Sequence, residues 1–329
     1  MHAIQLSRYG GPEVLQYTEL PTPVPGPRQV LVRTEAIGVN FIDTYFRTGA
    51  YPHALPFVPG CEVSGIVTEA GCDVTEFEVG DRVATADTDG TYAEYCVANV
   101  DLTTRVPDGI SPQVAASALL KGETAHLLIN SVYPVEPGDA ILVHAGAGGV
   151  GLILTQWATS KGARVITTVS TPQKAELSRQ AGAADVVGYP DDPAEFGDMI
   201  RNLTDGEGVA AVYDGVGRST FDASLASLAI RGTLALFGAA SGPVPPVDPQ
   251  RLNAAGSVYL TRPYRTHFNR TAAEFSWRAG ELFDAITSGA ITITVGATYS
   301  LNDAAQAHRD LEARHTQGST ILIPDRTTR

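Results

Sequence analysis

Along the first hundred residues, apolar side chains come in short runs separated by turn signals. QVLVRTEAIGVN (29–40), CEVSGIVTEAG (61–71), GDRVAT (80–85) and TYAEYCVAN (91–99) each carry β-branched or aromatic residues bounded by Gly, Asp or Asn, which reads as short strands. LPTPVPGPRQ (20–29) is a Pro-rich connection too short to separate domains. This stretch predicts a mostly-β barrel or sandwich. Beyond residue 120 the rhythm becomes strand, helix, strand. DAILVHAG (139–146) and RVITTVS (164–170) are apolar strands, with a helix at 149–162 between them that closes on Gly162. A second helix at 171–182 has Thr171 as N-cap, Pro172 in its first turn and Gly182 at its end. ADVVGY (184–189), GVAAVYDGVG (208–217), GTLALFG (232–238) and GSVYLTRP (256–263) add four strands. Apolar strands without alternation suit a parallel sheet covered on both faces, so the fold class is α/β with a doubly wound sheet.

The tail changes pattern again. Residues 271–289 form an amphipathic helical stretch, 291–301 a β-like run and 302–314 another helix. Such a tail suits completion of the N-terminal β domain, with the sheet domain inserted between its two parts.

Composition narrows the function. The chain has 329 residues, which makes two domains the natural expectation. Its 36 acidic and 23 basic residues give a formal charge of −13, which argues against nucleic acid and anionic membrane surfaces. Cys61, Cys72 and Cys96 are odd in number and widely spaced, so reduced thiols in a cytoplasmic protein are expected rather than a disulfide framework. MHAIQLSRYGGPEVLQY shows no basic region followed by an apolar core. The uncharged stretch 140–158 approaches membrane-spanning length, but its central glycines divide it into strand, turn and helix.

HAGAGGVG (144–151) places Gly146, Gly148 and Gly151 in a G-x-G-x-x-G pattern between strand and helix, the context that makes this pattern a dinucleotide fingerprint. Gly146 permits the turn, Gly148 lets backbone approach a pyrophosphate, and Gly151 lets helix and strand pack closely. The helix N-terminus then faces the phosphates with N–H groups and partial positive charge. An NAD site would put Asp or Glu at the end of the next strand. Here that strand ends in Val169-Ser170-Thr171, with Lys174 one turn into the helix. Hydroxyls and an ammonium suit a 2′-phosphate, so NADPH is the expected cofactor.

No metal is expected. A catalytic zinc needs three ligands from Cys, His and carboxylate. Cys61 and Glu62 offer at most two, and GVNFIDTY (38–45) adds Asn40 and Asp43 but no thiolate or imidazole. His126, His144, His308 and His315 are scattered, and the last two, seven apart in a helical pattern, are expected on a solvated face. Cys61 is expected to pack as a small buried residue.

These segments together, with KGETAH (121–126), VYDGVGRSTF (212–221) and TQGSTILIP (316–324), resemble the medium-chain dehydrogenase/reductase superfamily, and within it the zinc-independent, zeta-crystallin-like quinone oxidoreductases. In zinc alcohol dehydrogenases of that superfamily a Cys stands where Asn40 is and a His where Cys61 is. The resemblance implies a GroES-like catalytic domain from residues 1–122 and 264–329 and a Rossmann dinucleotide domain at 123–263. It also implies a homodimer paired through the sheet edge at 256–263. Asn40, Asp43, Tyr45 and Tyr51 would line the nicotinamide and substrate end. Thr124, Gly148, Gly149 and Val150 would hold the pyrophosphate. Ser170, Lys174 and Tyr189 would meet the 2′-phosphate and adenosine, and Val216, Phe237, Gly238 and Arg314 the rest of the dinucleotide.

The implied activity is zinc-independent hydride transfer from NADPH to a quinone. Tyr45 or Tyr51 would donate a hydrogen bond to the oxygen that gains negative charge, with Asn40 and Asp43 holding the tyrosines or the nicotinamide ribose. The same parts would suit an enone or enoyl substrate, with tyrosine as proton donor. A non-catalytic NADPH-binding protein is the alternative of another class.

Overall fold

The computed structural model describes residues 1–189 and 191–325, so the last four residues of the expected domain 264–329, and Pro190 within 123–263, lie outside the described residues. In chain order come strands β1 (His2–Gln5), β2 (Gln16–Glu19) and β3 (Gln29–Val39), helix α1 (Phe41–Thr48), and strands β4 (Glu62–Ala70), β5 (Arg82–Thr85), β6 (Tyr95–Asn99) and β7 (Thr103–Arg105). Helix α2 (Pro112–Leu127) leads into β8 (Ala140–Val143), α3 (Gly149–Ser160), β9 (Arg164–Thr168), α4 (Pro172–Gln180), β10 (Asp185–Val187) and α5 (Pro193–Leu203). Then follow β11 (Val209–Asp214), α6 (Phe221–Ser227), β12 (Leu228–Leu236), α7 (Gln250–Ala254) and β13 (Tyr259–Thr261). The tail holds α8 (Ala272–Thr287), β14 (Val295–Ser300), α9 (Ala304–Glu312) and β15 (Ser319–Ile323).

The chain divides into two units. One comprises Met1–Lys121, Asn269–Gly289 and the chain from Ile293 onward; the other comprises Gly122–Phe268 with Ala290–Thr292. In the first, a sheet runs β14-β15-β3-β4-β5-β7, with β6 also pairing with β3. The tail strand β15 lies antiparallel to β3, Ile321 opposite Gly38, so the chain's last strand flanks the segment that leads into Asn40. Ile37, Val39, Val63, Leu301 and Leu322 are buried in the core of this unit, each contributing about 1.5–3 kcal/mol by leaving water.

The second unit is built on six strands in the order β10-β9-β8-β11-β12-β13, every neighbouring pair parallel. This is the doubly wound sheet expected from the apolar runs. Ile141, Leu142 and Val143 in β8, and Val165 and Ile166 in β9, are fully buried without alternation, as a sheet covered on both faces requires. Strand order reverses between β8 and β11, the switch point where such sheets bind ligands beyond their carboxyl ends. The predicted cap is present: Thr171 Oγ1 accepts the Lys174 N–H at 3.2 Å. Gly162 (φ 87°) and Gly182 (φ 99°) turn left-handed after their helices. Among the described residues, no helix is long and apolar enough to cross a membrane.

Two expectations need correction or refinement. His308 is not on a solvated face; it is fully buried. Helix α9 is short, and it turns Ala304, Ala307 and His308 inward at i, i+3 and i+4, while exposed His315 lies beyond its end. Cys96 is the buried thiol, pushed up to about 12 by desolvation, whereas Cys61 is only half-buried.

Candidate active site

The first cluster grows out of a helix whose inward face is polar. Extended Asn40 caps α1, and its N–H donates to Asp43 Oδ2 at 2.8 Å; Gly49, left-handed at φ 79°, ends the helix. Between these ends, Asp43, Thr44 and Arg47 are the buried residues. A helix that turns an acid and an arginine inward must supply them with partners, and the first unit does so on both sides of Asp43.

On one side stands Lys121, 6% exposed, near the end of the first unit's share of α2. Its Nζ donates to Asn40 Oδ1 at 2.7 Å and to Glu62 Oε2 at 3.0 Å. The Asn40 amide donates to Glu62 Oε2 at 2.8 Å, and the Leu120 N–H donates to Glu62 Oε1 at 2.8 Å. On the other side, the Tyr92 hydroxyl donates to Asp43 Oδ2 at 2.9 Å and lies 3.0 Å from His308 Nε2. His308 Nδ1 in turn lies 3.0 Å from Arg47 Nη1. Arg47 grips Glu312 through two nitrogens, at 2.9 and 2.7 Å, and donates from Nε to the Gly10 carbonyl at 3.1 Å. Burial pushes the Asp43 carboxyl up to about 7, against hydrogen bonds from Asn40 and Tyr92 and the charge of Lys121; the charge of Glu62 adds to the rise. Burial, then the Arg47 charge, pushes His308 down to about 3.

Tyr45 and Tyr51 belong to a different face of the same segment. Their rings pack 5.2 Å apart, the Tyr51 N–H donates to the Tyr45 carbonyl at 3.1 Å, and Phe41 and Phe46 flank them edge-on. Both tyrosines are half-buried. Asn40 and Asp43 thus join a buried polar cluster, while the two tyrosines join an aromatic one. Sequence reasoning missed Arg47, Tyr92, Lys121 and His308; the inward-facing polar positions 43 and 47 on a helix were the available signal.

In the second unit the predicted cofactor residues collect at the carboxyl ends of the strands. Ala145, after β8, adopts a left-handed backbone (φ 56°), and its carbonyl accepts the Gly148 N–H at 2.9 Å. A Cβ on Gly148 would come 3.2 Å from that carbonyl, and a Cβ on Gly151 would collide with it. Gly148 caps α3, so the first-turn N–H groups of Gly149, Val150 and Gly151 precede the helix's own acceptors. Exposed Ser170 and half-buried Lys174 flank the turn after β9. Tyr189, after β10, stacks on His144 with centroids 6.4 Å apart. Phe237 and Gly238, after β12, donate their N–H groups to the Asp214 carbonyl at 2.9 and 3.3 Å. Thr124 is half-buried on α2, and Arg314 lies in the first unit, left-handed (φ 60°) just beyond α9.

Beneath this rim lies a second buried network. Asp214 Oδ1 accepts the N–H groups of Val216 (2.8 Å) and Gly217 (2.9 Å). Thr220 Oγ1 reaches both carboxylate oxygens, at 2.9 and 2.8 Å, and Ser224 Oγ donates to Oδ2 at 2.7 Å. With its proton committed to Asp214, Ser224 accepts from His144 Nε2 at 2.9 Å, and His144 Nδ1 accepts from Thr168 Oγ1 at 2.9 Å. Asp214 thereby fixes the loop that carries Val216.

A zinc ion does not fit the first cluster. The donors nearest its expected position, Asn40 Oδ1 and Glu62 Oε2, already face the Lys121 ammonium, and a second cation there would be repelled. Among the described residues no three His, Cys, Asp or Glu side chains gather to hold a metal. The cradle of α3 does fit a dinucleotide: backbone donors, two positions where a side chain would intrude, and no acid at the end of β9.

Known proteins match this architecture. Residues 26–108 match the alcohol dehydrogenase GroES-like domain family, and residues 149–277 the zinc-binding dehydrogenase family. The quinone oxidoreductase of Pseudomonas aeruginosa is 45% identical over 98% of this chain and 99% of its own. A 2-haloacrylate reductase from a Burkholderia species is 38% identical, covering 98% of both chains. A mycobacterial protein solved in complex with NADPH is 65% identical, covers 98% of this chain and 100% of its own, and superposes with a TM-score of 0.98. Matched along nearly its whole length, the chain belongs to the quinone oxidoreductase family of the medium-chain dehydrogenase/reductase superfamily.

Proposed function

We propose that this chain is an NADPH-dependent, zinc-independent reductase whose acceptor is a small quinone. The end of β9 supports the cofactor: Val169, Ser170 and Thr171 supply no carboxylate to repel a 2′-phosphate, and Lys174 supplies an ammonium one turn later. The solved relative with NADPH bound agrees with it, and the name of the Pseudomonas relative supports the acceptor. When bound, NADPH supplies the hydride. Gly148, Gly149, Val150 and Thr124 would hold its pyrophosphate. Ser170, Lys174 and Tyr189 would hold the adenosine end, and Val216, Phe237, Gly238 and Arg314 the remainder. The first unit is then the catalytic domain, and Tyr45 or Tyr51 offers a hydroxyl to the acceptor oxygen as charge builds on it. Three free cysteines suit a cytoplasmic enzyme. The edge strand β13, with Tyr259 63% exposed, suits pairing in a homodimer.

A second reading, reduction of an electron-poor carbon–carbon double bond, draws on the 2-haloacrylate reductase relative. NADPH oxidation by a simple para-quinone and by a haloacrylate, with enzyme dialysed against a strong chelator, separates the two. Rapid quinone turnover is expected. Turnover with the acrylate alone would replace the quinone, turnover only after zinc is restored would overturn zinc independence, and tight NADPH binding with no turnover would leave a binding protein. Lys174→Ala is expected to raise the KM for NADPH about tenfold while leaving that for NADH unchanged.

A further inference from the structure

The buried chain that ends on Asp43 has a direction. Arg47 carries only donors, so the 3.0 Å contact from its Nη1 makes His308 Nδ1 an acceptor. The remaining imidazole proton is therefore on Nε2, and it donates to the Tyr92 oxygen 3.0 Å away. Tyr92 must then spend its own proton on Asp43 Oδ2, at 2.9 Å. The same oxygen accepts the Asn40 N–H at 2.8 Å. Oδ2 thus receives two donors that cannot reverse, whereas Oδ1 has the Cys61 thiol at 4.0 Å, the outer limit of a sulfur hydrogen bond.

We propose that Arg47, His308 and Tyr92 are positioning residues that act together as a one-way hydrogen-bond chain, so that Asp43 takes up and releases its proton only at Oδ1, the oxygen that faces Cys61. The other groups around Asp43 are consistent with this assignment. Lys121, from α2, favours the carboxylate and Glu62, from β4, opposes it, and both are committed to each other and to Asn40. Glu312 faces Arg47 rather than the acid. Burial and the neighbouring Asp43 hold the Tyr92 phenol well above its usual range, so it stays a donor, and His308 stays neutral. The site is a buried acid with one working oxygen. The assignment goes beyond the reductase reading, because it concerns the resting protein whatever acceptor the enzyme uses.

Infrared difference spectra of the full chain between acid and alkaline pH test it without any acceptor. Asp43→Asn, whose amide keeps an acceptor for Asn40 and Tyr92, identifies the Asp43 band. Wild type is expected to show a carboxylic C=O stretch at the low frequency of an oxygen accepting two hydrogen bonds, and the band should titrate near neutrality. Tyr92→Phe removes one donor. It should raise the frequency, and should raise the midpoint by about one pH unit, tenfold in the protonation equilibrium. His308→Leu should move both part of the way, and His308→Gln, which can accept from Arg47 and donate to Tyr92, should restore them. A wild-type band, assigned through Asp43→Asn, at the frequency of an unbonded acid would overturn the proposal, even if neither the Tyr92 nor the His308 variants folded. So would a natively folded Tyr92→Phe with frequency and midpoint unmoved, since a merely structural tyrosine would change stability alone.

Discussion

Each unit buries a histidine next to a hydroxyl that donates to a buried carboxylate, yet the two carboxylates are provided for differently. In the second unit, His144 meets Ser224, and Ser224 meets Asp214. Asp214 also takes two backbone N–H groups and a forked hydroxyl from Thr220, so both of its oxygens are engaged by donors. In the first unit, His308 meets Tyr92, and Tyr92 meets Asp43. There both strong donors converge on one oxygen, and the other is left to a thiol at 4.0 Å. The parts are alike; the number and placement of donors differ. A carboxylate saturated with donors anchors a loop, whereas one served on a single oxygen keeps room for a proton.

The largest effect should come from removing the saturated anchor. Asp214→Ala strands the N–H groups of Val216 and Gly217 and two hydroxyls, and should cost about 4 kcal/mol or more in urea denaturation. Asp43→Asn at about pH 4 should cost less than about 1 kcal/mol, because the amide resembles the protonated acid that the folded protein holds there. Equal losses would erase the distinction. A comparable effect should appear when pH is varied. Asp43 rises from an ordinary value of 3.8 to about 7 in the folded protein, so folding favours its neutral form. Its stabilising contribution is fully present below about pH 4 and is lost as the pH rises through 7. At about 1.4 kcal/mol per pH unit, wild type should lose about 4 kcal/mol relative to Asp43→Asn across that window. A flat difference between the two proteins would remove Asp43 as a neutral-range acid. The smallest contrast lies in the hydroxyls. Ser224→Ala should cost about 1–2 kcal/mol at any pH between 5.5 and 8.5, whereas the cost of Tyr92→Phe should grow with pH, because its lost bond supports the charged acid.

Much of the scaffold was legible in the chain. Unbroken apolar runs such as Ile141–Val143 predict a parallel sheet because both faces are covered, and the three glycines mark the cradle because a side chain at Gly146 would strike Thr167 and Ser178, while one at Gly148 or Gly151 would crowd the Ala145 carbonyl. Thr171 and Pro172 marked α4 because capping is local chemistry. The buried acid was legible only in part. Asn40 and Asp43 stood out, but their partners did not: Tyr92 comes from the segment before β6, Lys121 from α2 and His308 from α9. Those contacts join chain segments from 49 to 261 residues apart, and no local periodicity encodes them. The error over His308 has the same origin. In a helix as short as α9, spacing to His315 carries no information once the helix has ended.

Ala145 links two positions in a way that bears on how this sequence is free to drift. Its left-handed backbone swings its carbonyl into the crest, where it receives the Gly148 N–H and occupies the space a side chain at position 151 would need. Glycine at 151 is therefore demanded by a neighbour's carbonyl before any ligand arrives. A lineage that replaced Gly151 would first have to turn Ala145 back, giving up the bend that opens the cradle. The two sites form one inherited decision, and relatives that differ at one should differ at both.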